Sequence, residues 1–315
     1  MTASRIVALG HHQPPKVLTN DDLSAMVDTD DEWIRSRVGI RTRHIAEEET
    51  LVDLAVGAAE KALAGAGVTA DQIDLVAVAT CTAVERSPNT AAAVAARLGI
   101  PTPAAYELNT ACSGFSYALA TADHAIRAGA ATRALVIGVE RMSDILDWTD
   151  RTTCVIFGDG AGAAVLEAVP DERAGVGPVV WGSEPEKGDA VVIGGDWKPV
   201  ISQQGQTVFR WATTQVAPLA RRACEKAGID PSELRGFVAH QANLRIIDAI
   251  AGKLGLAEDA VVARDVVDSG NTSAASIPLA LSKLVERGEL HSGDPVLLFG
   301  FGGGLAYAGQ VVRCP

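Results

Sequence analysis

Short, fully apolar segments alternate along the chain with longer segments in which apolar residues recur every three or four positions. The first kind is typical of buried β-strands and the second of amphipathic helices. Strands are predicted at 74–79 and 133–139, and a helix from 112 to about 127 lies between them. This alternation predicts a layered α/β fold.

The second part of the chain repeats this order, with a strand at 235–240, a helix at 273–285 and a strand at 295–299. The three pairs of elements are offset by 161, 161 and 162 residues. Nearly equal offsets predict two similar halves, although any α/β protein repeats such units at some spacing. Proline and glycine interrupt the pattern near the middle. We therefore predict an N-terminal half at 1–172 and a C-terminal half at 173–315.

Composition narrows the class of protein. The 315 residues are 48% apolar and 21% charged, with a net charge of −12, which is typical of a globular chain. The acidic balance argues against sequence-independent binding to nucleic acids. We see no signal peptide and no apolar run long enough to span a membrane. The five cysteines are scattered, which argues against a disulfide framework or a structural zinc. We expect a soluble, cytoplasmic protein without membrane or nucleic-acid partners.

Cys112 stands where the predicted central helix of the first half begins. The unpaired N–H groups at a helix start favour a thiolate over a thiol. Its small neighbours Ala111, Ser113 and Gly114 let a carbonyl group approach the sulfur. A single cysteine in an apolar chain is equally compatible with a small core residue.

Two polar residues of the second half complete a possible site. His240 ends a predicted strand, and Asn271 precedes the helix that corresponds to the one beginning at Cys112. Each also has a structural explanation, since the backbone can satisfy a histidine and asparagine is a good helix cap. If the halves are related by pseudo-symmetry, however, the three side chains meet in one pocket. A thiol, an imidazole and an amide together predict acyl transfer through a thioester.

Two glycine clusters have different interpretations. The cluster at 158–162 is predicted to be a tight turn between two strands, at 153–157 and 163–166. It does not predict a dinucleotide-binding loop, because no helical pattern follows it. The cluster at 300–304 follows the last buried strand and lacks the Lys-Ser/Thr pair of a phosphate loop. We expect it to present backbone N–H groups to an oxyanion.

Specific motifs occur in a fixed order from near residue 5 to the C-terminus. They are 29–34 (TDDEWI), 39–41 (GIR), 111–115 (ACSGF), 157–162 (FGDGAG), 240–247 (HQANLRII), 270–276 (GNTSAAS) and 301–304 (FGGG). Together they resemble β-ketoacyl-acyl-carrier-protein synthase III. The resemblance implies the thiolase-like fold, a five-layered αβαβα arrangement of two pseudo-symmetric halves, and a homodimer.

The resemblance also implies a mechanism. Cys112 would be the nucleophile of a Cys-His-Asn triad with His240 and Asn271, and would take an acyl group from coenzyme A. Malonyl-acyl carrier protein would then lose CO₂ and attack the thioester, giving a 3-oxoacyl-carrier protein. His240 and Asn271 would stabilise the enolate, and the N–H groups of Cys112 and Gly303 would form the oxyanion hole. No metal or redox cofactor is implied.

Further site residues follow from the same resemblance. The residues expected at the coenzyme A site are Trp33, Arg37, Arg151 and Asn243. Those expected to contact the acyl carrier protein are Arg245, Arg210 and Lys253.

The acyl pocket is expected at Ser87 and Phe157. Ser87 stands where some members of the family carry phenylalanine, so we hypothesise a roomier pocket that accepts branched or longer primers. The stretch 194–206 is compact and carries Gln203 where several relatives have methionine, so the primer and carrier preferences stay open.

Several activities share these residues. The first is the condensation that starts fatty acid synthesis, and the alternative is a priming ketosynthase III or a non-condensing acyltransferase of a polyketide or other secondary pathway. A Cys-His-Asn hydrolase is disfavoured by the repeat and the glycine-rich ending. A non-catalytic subunit is disfavoured because all three reactive residues are retained.

Overall fold

The structure is a computed structural model that describes residues 2–85, 87–195 and 198–315. The elements of the first half are the strands β1 (Thr2–His12), β2 (Val17–Thr19), β3 (Thr42–His44), β4 (Leu75–Ala79), β5 (Ala104–Leu108), β6 (Arg133–Arg141) and β7 (Asp159–Pro170), and the helices α1 (Asn20–Ser24), α2 (Asp31–Val38), α3 (Leu51–Ala66), α4 (Thr90–Leu98) and α5 (Gly114–Arg127).

The second half follows after the predicted boundary at 172/173, which falls between β7 and the next strand. Its elements are the strands β8 (Val180–Gly182), β9 (Val191–Gly194), β10 (Val200–Gln203), β11 (Gly236–Ala239), β12 (Val261–Val262), β13 (Pro295–Phe301) and β14 (Tyr307–Arg313), and the helices α6 (Gly205–Ala227), α7 (Leu244–Leu254), α8 (Val266–Ser269) and α9 (Ser276–Glu286).

Each half contains a five-stranded mixed sheet, and the two sheets have the same strand order. The first runs β1-β7-β6-β4-β5 and the second runs β8-β14-β13-β11-β12. In each sheet the three strands at one end are parallel, and the other two pair antiparallel. Three corresponding pairs, β4 and β11, α5 and α9, and β6 and β13, begin 161 or 162 residues apart. The pattern of the sequence therefore predicted the duplication correctly.

The two sheets lie on either side of a shared central layer. One buried cluster joins Phe115 and Leu119 of α5 and Leu281 of α9 to inward-facing residues of both sheets. A second cluster packs α3 and α4 on the outside of the first sheet, and a third packs α6 and α7 on the outside of the second. The layers are thus α, β, α, β, α, which confirms the predicted thiolase-like fold. Within the described residues, no helix is both long and apolar enough to cross a membrane.

Glycines allow the backbones of the two halves to pack directly against each other. A Cβ atom added to Gly162 of β7 would lie 2.4 Å from the backbone nitrogen of Leu279 in α9. One added to Gly138 of β6 would lie 2.4 Å from the carbonyl oxygen of Ala274. Real Cβ contacts are wider than this, so only glycine fits at either position.

The glycine cluster at 158–162 is not the predicted turn between two strands. Residues 151–156 form turns, with Ile156 N–H donating to Thr153 O at 2.9 Å, and Phe157 makes an isolated bridge to Asn271. Gly160 and Gly162 instead belong to the beginning of the single long strand β7, which Gly158 precedes. The prediction was wrong because their spacing serves the close packing of α9 on β7, and a local sequence pattern does not show that contact.

Candidate active site

A cavity of about 540 Å³ opens between the two halves, and its lining includes Cys112, His240 and Asn271. Cys112 lies in a 3₁₀ turn before α5, and Asn271 lies two residues before the corresponding turn that precedes α9. His240 follows β11. The pseudo-symmetry extends to the backbone conformation: Ala111 and Ser273 occupy equivalent positions, and both have a φ of 46°. Non-glycine residues rarely adopt this conformation, and such strain is found where the surrounding structure imposes it.

The Cys112 thiol is surrounded by hydrogen-bond donors. The backbone N–H groups of Gly303 and of Cys112 itself, together with the Ser273 hydroxyl, lower its pKa, but burial has the larger effect and raises it. The expectation that a helix start makes this thiol a thiolate is therefore wrong for the resting protein. Helix α5 begins only at Gly114, and the cost of burying a charge exceeds the stabilisation from these donors.

Gly302 brings the backbone against the nucleophile. A Cβ atom on this residue would lie 2.8 Å from Cys112 Sγ. Gly302 also has a φ of 155°, which side-chain-bearing residues rarely adopt. The glycine-rich segment therefore acts as expected from the sequence, because it exposes the N–H group of Gly303 beside the sulfur.

His240 is held as a neutral imidazole. It is buried, and burial lowers its pKa from 6.5 to about 3. Its Nδ1 lies 2.8 Å from Ser276 Oγ, and this oxygen also accepts a hydrogen bond from the N–H of Gln241 at 3.3 Å. When the Ser276 hydroxyl donates to Nδ1, the ring proton lies on Nε2, where it is available as a donor.

Asn271 is fixed by both halves. Its backbone N–H donates to Ile156 O at 2.9 Å, and its carbonyl accepts from Gly158 N–H at 3.1 Å. The side-chain Oδ1 accepts from the N–H of Ser273 at 2.9 Å. The acceptor end of the amide is thus occupied, so its NH₂ end is the part available to a substrate oxygen.

Glu140 lies at the end of β6 and is fully buried beside the cavity. It accepts hydrogen bonds from Thr82 Oγ1 at 2.6 Å, Thr80 Oγ1 at 3.0 Å and the N–H of Cys81 at 3.0 Å. Burial raises its pKa, and these bonds oppose that effect. Glu140 was not among the site residues predicted from the sequence, although an acidic side chain that continues a wholly apolar strand is a signal that could have indicated it.

The residues expected to bind coenzyme A lie together. Trp33, Arg37, Arg151 and Asn243 all line the cavity, and both arginines are exposed. The Arg151 guanidinium lies 5.1 Å from the centroid of the Trp33 ring. Asn243 Nδ2 donates to the carbonyl of Arg37 at 3.2 Å, which ties α7 to α2. An aromatic face beside two cations suits an adenine ring and phosphate groups.

The residues expected to contact the carrier protein lie on the neighbouring helices α6 and α7. Arg210, Arg245 and Lys253 are all exposed. The Arg245 guanidinium stacks 5.2 Å from the ring centroid of Phe209, which itself lines the cavity. Lys253 Nζ donates to the carbonyl of Thr213 at 2.6 Å. Of the three cations, Arg245 therefore adjoins the cavity, through Phe209.

The apolar part of the cavity differs from the sequence-based expectation at one position. Phe157 lines it, together with Met142 and Ile201, and all three are buried. Ser87 does not line the cavity within the single chain, because its loop carries it to an exposed position. Ser87 is thus not part of this chain's own cavity, and the hypothesis of a roomier acyl pocket stays a prediction.

Gln203 does line the cavity, as does Ile193 from the paired strand β9. Asp196 and Trp197, which belong to the compact stretch 194–206, lie outside the described residues. Among the residues that are described, no group of three or more His, Cys, Asp or Glu side chains is arranged to hold a metal ion.

Comparisons with known proteins agree on one family. The family described as 3-oxoacyl-[acyl-carrier-protein (ACP)] synthase III matches residues 106–185, and its C-terminal part matches residues 224–314. The chain is 67% identical over 317 residues to "Beta-ketoacyl-[acyl-carrier-protein] synthase III 2" of Streptomyces avermitilis, covering 100% of both chains. It is 66% identical over 314 residues to "Beta-ketoacyl-[acyl-carrier-protein] synthase III 4" of Streptomyces coelicolor, covering 99% of each.

Solved structures show the same similarity. The priming β-ketosynthase from the R1128 polyketide biosynthetic pathway superposes with a TM-score of 0.97 at 41% identity, covering 99% of this chain and 96% of that one. The 3-oxoacyl-[acyl-carrier-protein] synthase III from Aquifex aeolicus gives a TM-score of 0.94 at 40% identity, covering 98% and 99%.

Proposed function

Because the chain belongs to the 3-oxoacyl-[acyl-carrier-protein] synthase III family, we propose that its cavity performs the reaction of that family. The protein condenses an acyl-CoA primer with malonyl-acyl carrier protein through an enzyme thioester and gives a 3-oxoacyl-carrier protein. The observation that carries this function is the meeting of Cys112, His240 and Asn271 in one cavity beside the N–H group of Gly303.

In the first half-reaction, Cys112 Sγ attacks the thioester carbonyl of the acyl-CoA. The oxygen of that carbonyl becomes negative and accepts hydrogen bonds from the N–H groups of Cys112 and Gly303. Coenzyme A leaves as the thiol, and the acyl chain lies against the apolar side chains of Met142, Phe157 and Ile201. Trp33 and Arg151 bind the nucleotide end of coenzyme A at the exposed side of the cavity.

In the second half-reaction, malonyl-carrier protein loses CO₂ and its carbanion attacks the acyl thioester on Cys112. The C–S bond of that thioester then breaks, and the released Cys112 sulfur takes up a proton and becomes the thiol again. Decarboxylation places negative charge on the malonyl thioester oxygen. The neutral His240 donates from Nε2 and Asn271 from Nδ2, so two donors stabilise this enolate without a positive charge. Burial lowers the pKa of His240 to about 3, which favours the neutral ring that this role requires.

We assign the protein, more finely, to the acyltransferases that need neither metal nor redox cofactor. The exposed cations Arg210, Arg245 and Lys253 then bind the acidic carrier protein on α6 and α7. This assignment is supported by the contact of Arg245 with Phe209, which lines the cavity, and by the exposure of all three cations.

A homodimer is the assembly that we propose for this chain. Strand β5 forms one end of the first sheet and pairs only with β4 among the described strands, so it offers an unpaired edge. Val84, in the loop between β4 and α4, is 77% exposed. Pairing of β5 with the same strand of a second copy would cover the edge. Size-exclusion chromatography with light scattering tests this assembly.

A priming role in a polyketide pathway is the second candidate, because the R1128 priming β-ketosynthase superposes over nearly the whole chain. The two roles use the same chemistry and differ in the carrier protein. A comparison of condensation rates with a fatty acid carrier protein and a polyketide carrier protein distinguishes them.

Intact-protein mass spectrometry after incubation with acyl-CoAs tests the function. The wild-type protein is expected to gain one acyl group, and Cys112→Ala is expected to gain none. Cys81→Ala is the matched control, because it removes the neighbouring thiol and should still take up the acyl group. Addition of malonyl-carrier protein should then release CO₂. Acylation without CO₂ release would favour a non-condensing acyltransferase, and labelling of Cys112→Ala would refute the assigned nucleophile.

A further inference from the structure

The cavity contains a second thiol, which the condensation reaction does not use. Cys81 and Cys112 both line it, and both are only partly buried. Cys81 Sγ lies 3.6 Å from the hydroxyl oxygen of Ser273. Ser273 also lowers the pKa of the Cys112 thiol, so both thiols have Ser273 as a neighbour in the same cavity.

The backbone brings the two cysteines together as well. They follow the carboxyl ends of β4 and β5, which are adjacent parallel strands with Ala79 opposite Leu108. Thr80 N–H extends this pairing by donating to Leu108 O at 3.2 Å. Cys81 follows β4 by two residues and Cys112 follows β5 by four, so both lie at the same end of the first sheet.

Cys81 also has a base in direct contact. Its Sγ donates to Glu140 Oε1 at 3.2 Å, and its backbone N–H donates to the same carboxylate. Burial raises the pKa of the Cys81 thiol well above its usual value, and the nearby Glu140 and Cys112 raise it further. The thiol is thus inert at rest but can lose its proton to Glu140 as it reacts.

We propose that Cys81 is a resolving cysteine, which forms a reversible disulfide with Cys112 when the latter is oxidised by a hydroperoxide. Cys112 Sγ attacks one peroxide oxygen and the O–O bond breaks. The departing oxygen takes the thiol proton and leaves as water or an alcohol, so Cys112 becomes a sulfenic acid. Cys81 Sγ then attacks the Cys112 sulfur and gives its proton to Glu140. The S–O bond breaks, and the departing hydroxide takes that proton and leaves as water.

The disulfide would protect the nucleophile. A sulfenic acid without a neighbouring thiol proceeds to sulfinic acid, which common reductants do not reverse. With Cys81 beside it, Cys112 stops at the disulfide and returns to the thiol on reduction. This inference goes beyond condensation, because its products are formed without acyl-CoA or carrier protein.

Mass spectrometry of the full chain after limited hydrogen peroxide treatment tests the proposal. The wild-type protein is expected to lose two hydrogen atoms, and peptide mapping should join the peptides that contain Cys81 and Cys112. Dithiothreitol should restore the original mass and the initial activity. Cys81→Ala, treated alike, should gain two oxygen atoms on Cys112 and lose its own starting activity irreversibly. Cys314→Ala is the matched control and should still form the bridge.

The mapping of the wild-type protein decides the question even if a variant fails to fold. A Cys112 found as sulfinic acid in the wild-type protein, with Cys81 unmodified, would overturn the proposal. So would equal recovery of wild type and Cys81→Ala after dithiothreitol. Either result leaves the condensation function untouched, because acyl labelling of Cys112 is measured separately.

Discussion

Replacement of Gly302 by alanine places a methyl group against the nucleophile. The new Cβ would lie 2.7 Å from Cys112 Cβ and 2.8 Å from Cys112 Sγ. Carbon and sulfur atoms in ordinary contact are separated by about 3.5–4.0 Å, so the thiol or the Gly302–Gly303 peptide must move by about 1 Å. The positive φ of Gly302 adds backbone strain to the same place.

The size of the effect follows from that displacement. A misplacement of about 1 Å in a reacting group costs on the order of 10² in rate. Loss of one oxyanion-hole donor costs about 10²–10³. Both effects act through the same Cys112 and Gly303 geometry, so they do not multiply. We expect the rate of acyl transfer from acyl-CoA to fall by about 10²–10³, or about 3–4 kcal/mol in the barrier.

Single-turnover release of coenzyme A measures this rate, and a thermal melt of the same sample shows whether the protein is folded. Gly304→Ala is the matched control, because its φ of 67° imposes strain but no atom lies within 4 Å of its Cβ position. It should lose some stability and keep most of the acylation rate. A Gly302→Ala protein that acylates as fast as wild type would refute the positioning role of this glycine.

Three other outcomes are expected. Trp33→Ala should raise KM for acyl-CoA by about tenfold, the equivalent of about 1.4 kcal/mol, and leave acylation from a short acyl thioester without the nucleotide unaffected. The unfolded chain binds a proton at His240 near pH 6.5 and the folded chain only near pH 3, so the unfolding free energy falls as pH decreases through this window. In denaturation curves, His240→Gln should reduce the slope of the unfolding free energy against pH by up to about 1.4 kcal/mol per pH unit. Arg43→Leu should leave the carbonyl of Val155 without its donor and destabilise by about 1–3 kcal/mol, whereas the exposed Arg41→Leu should change the unfolding free energy by under about 1 kcal/mol.

Much of the fold could be predicted because its determinants are local. The apolar strands and the helices beginning near 112 and 273 have the periodicities of their structures, and the offset of about 161 residues shows the repeat without any contact information. Once the halves are known to correspond, the approach of Cys112 and Asn271 follows from symmetry.

The rest depends on distances that no local pattern contains. Glu140 and Cys81 are separated by 59 positions along the chain and meet only because β4 and β6 are neighbours. The lowered pKa expected for Cys112 was wrong, since its burial is a property of the assembled halves. Ser87 was assigned by resemblance alone, and the single chain carries it away from the cavity.

Gly138 and Gly162 show that residues which take no part in the reaction can still determine the geometry of the active site. Both positions set how near the second half can come to the first, and Ala274 and Leu279, which touch them, belong to the segment that follows Asn271. The distance between the Cys112 thiol and the Asn271 amide therefore depends on the absence of a side chain at these two glycines. A methyl group at either glycine would push the halves apart and reduce the activity, although it would not contact the substrate. Residues with nothing to donate or accept can thus matter as much as those that react.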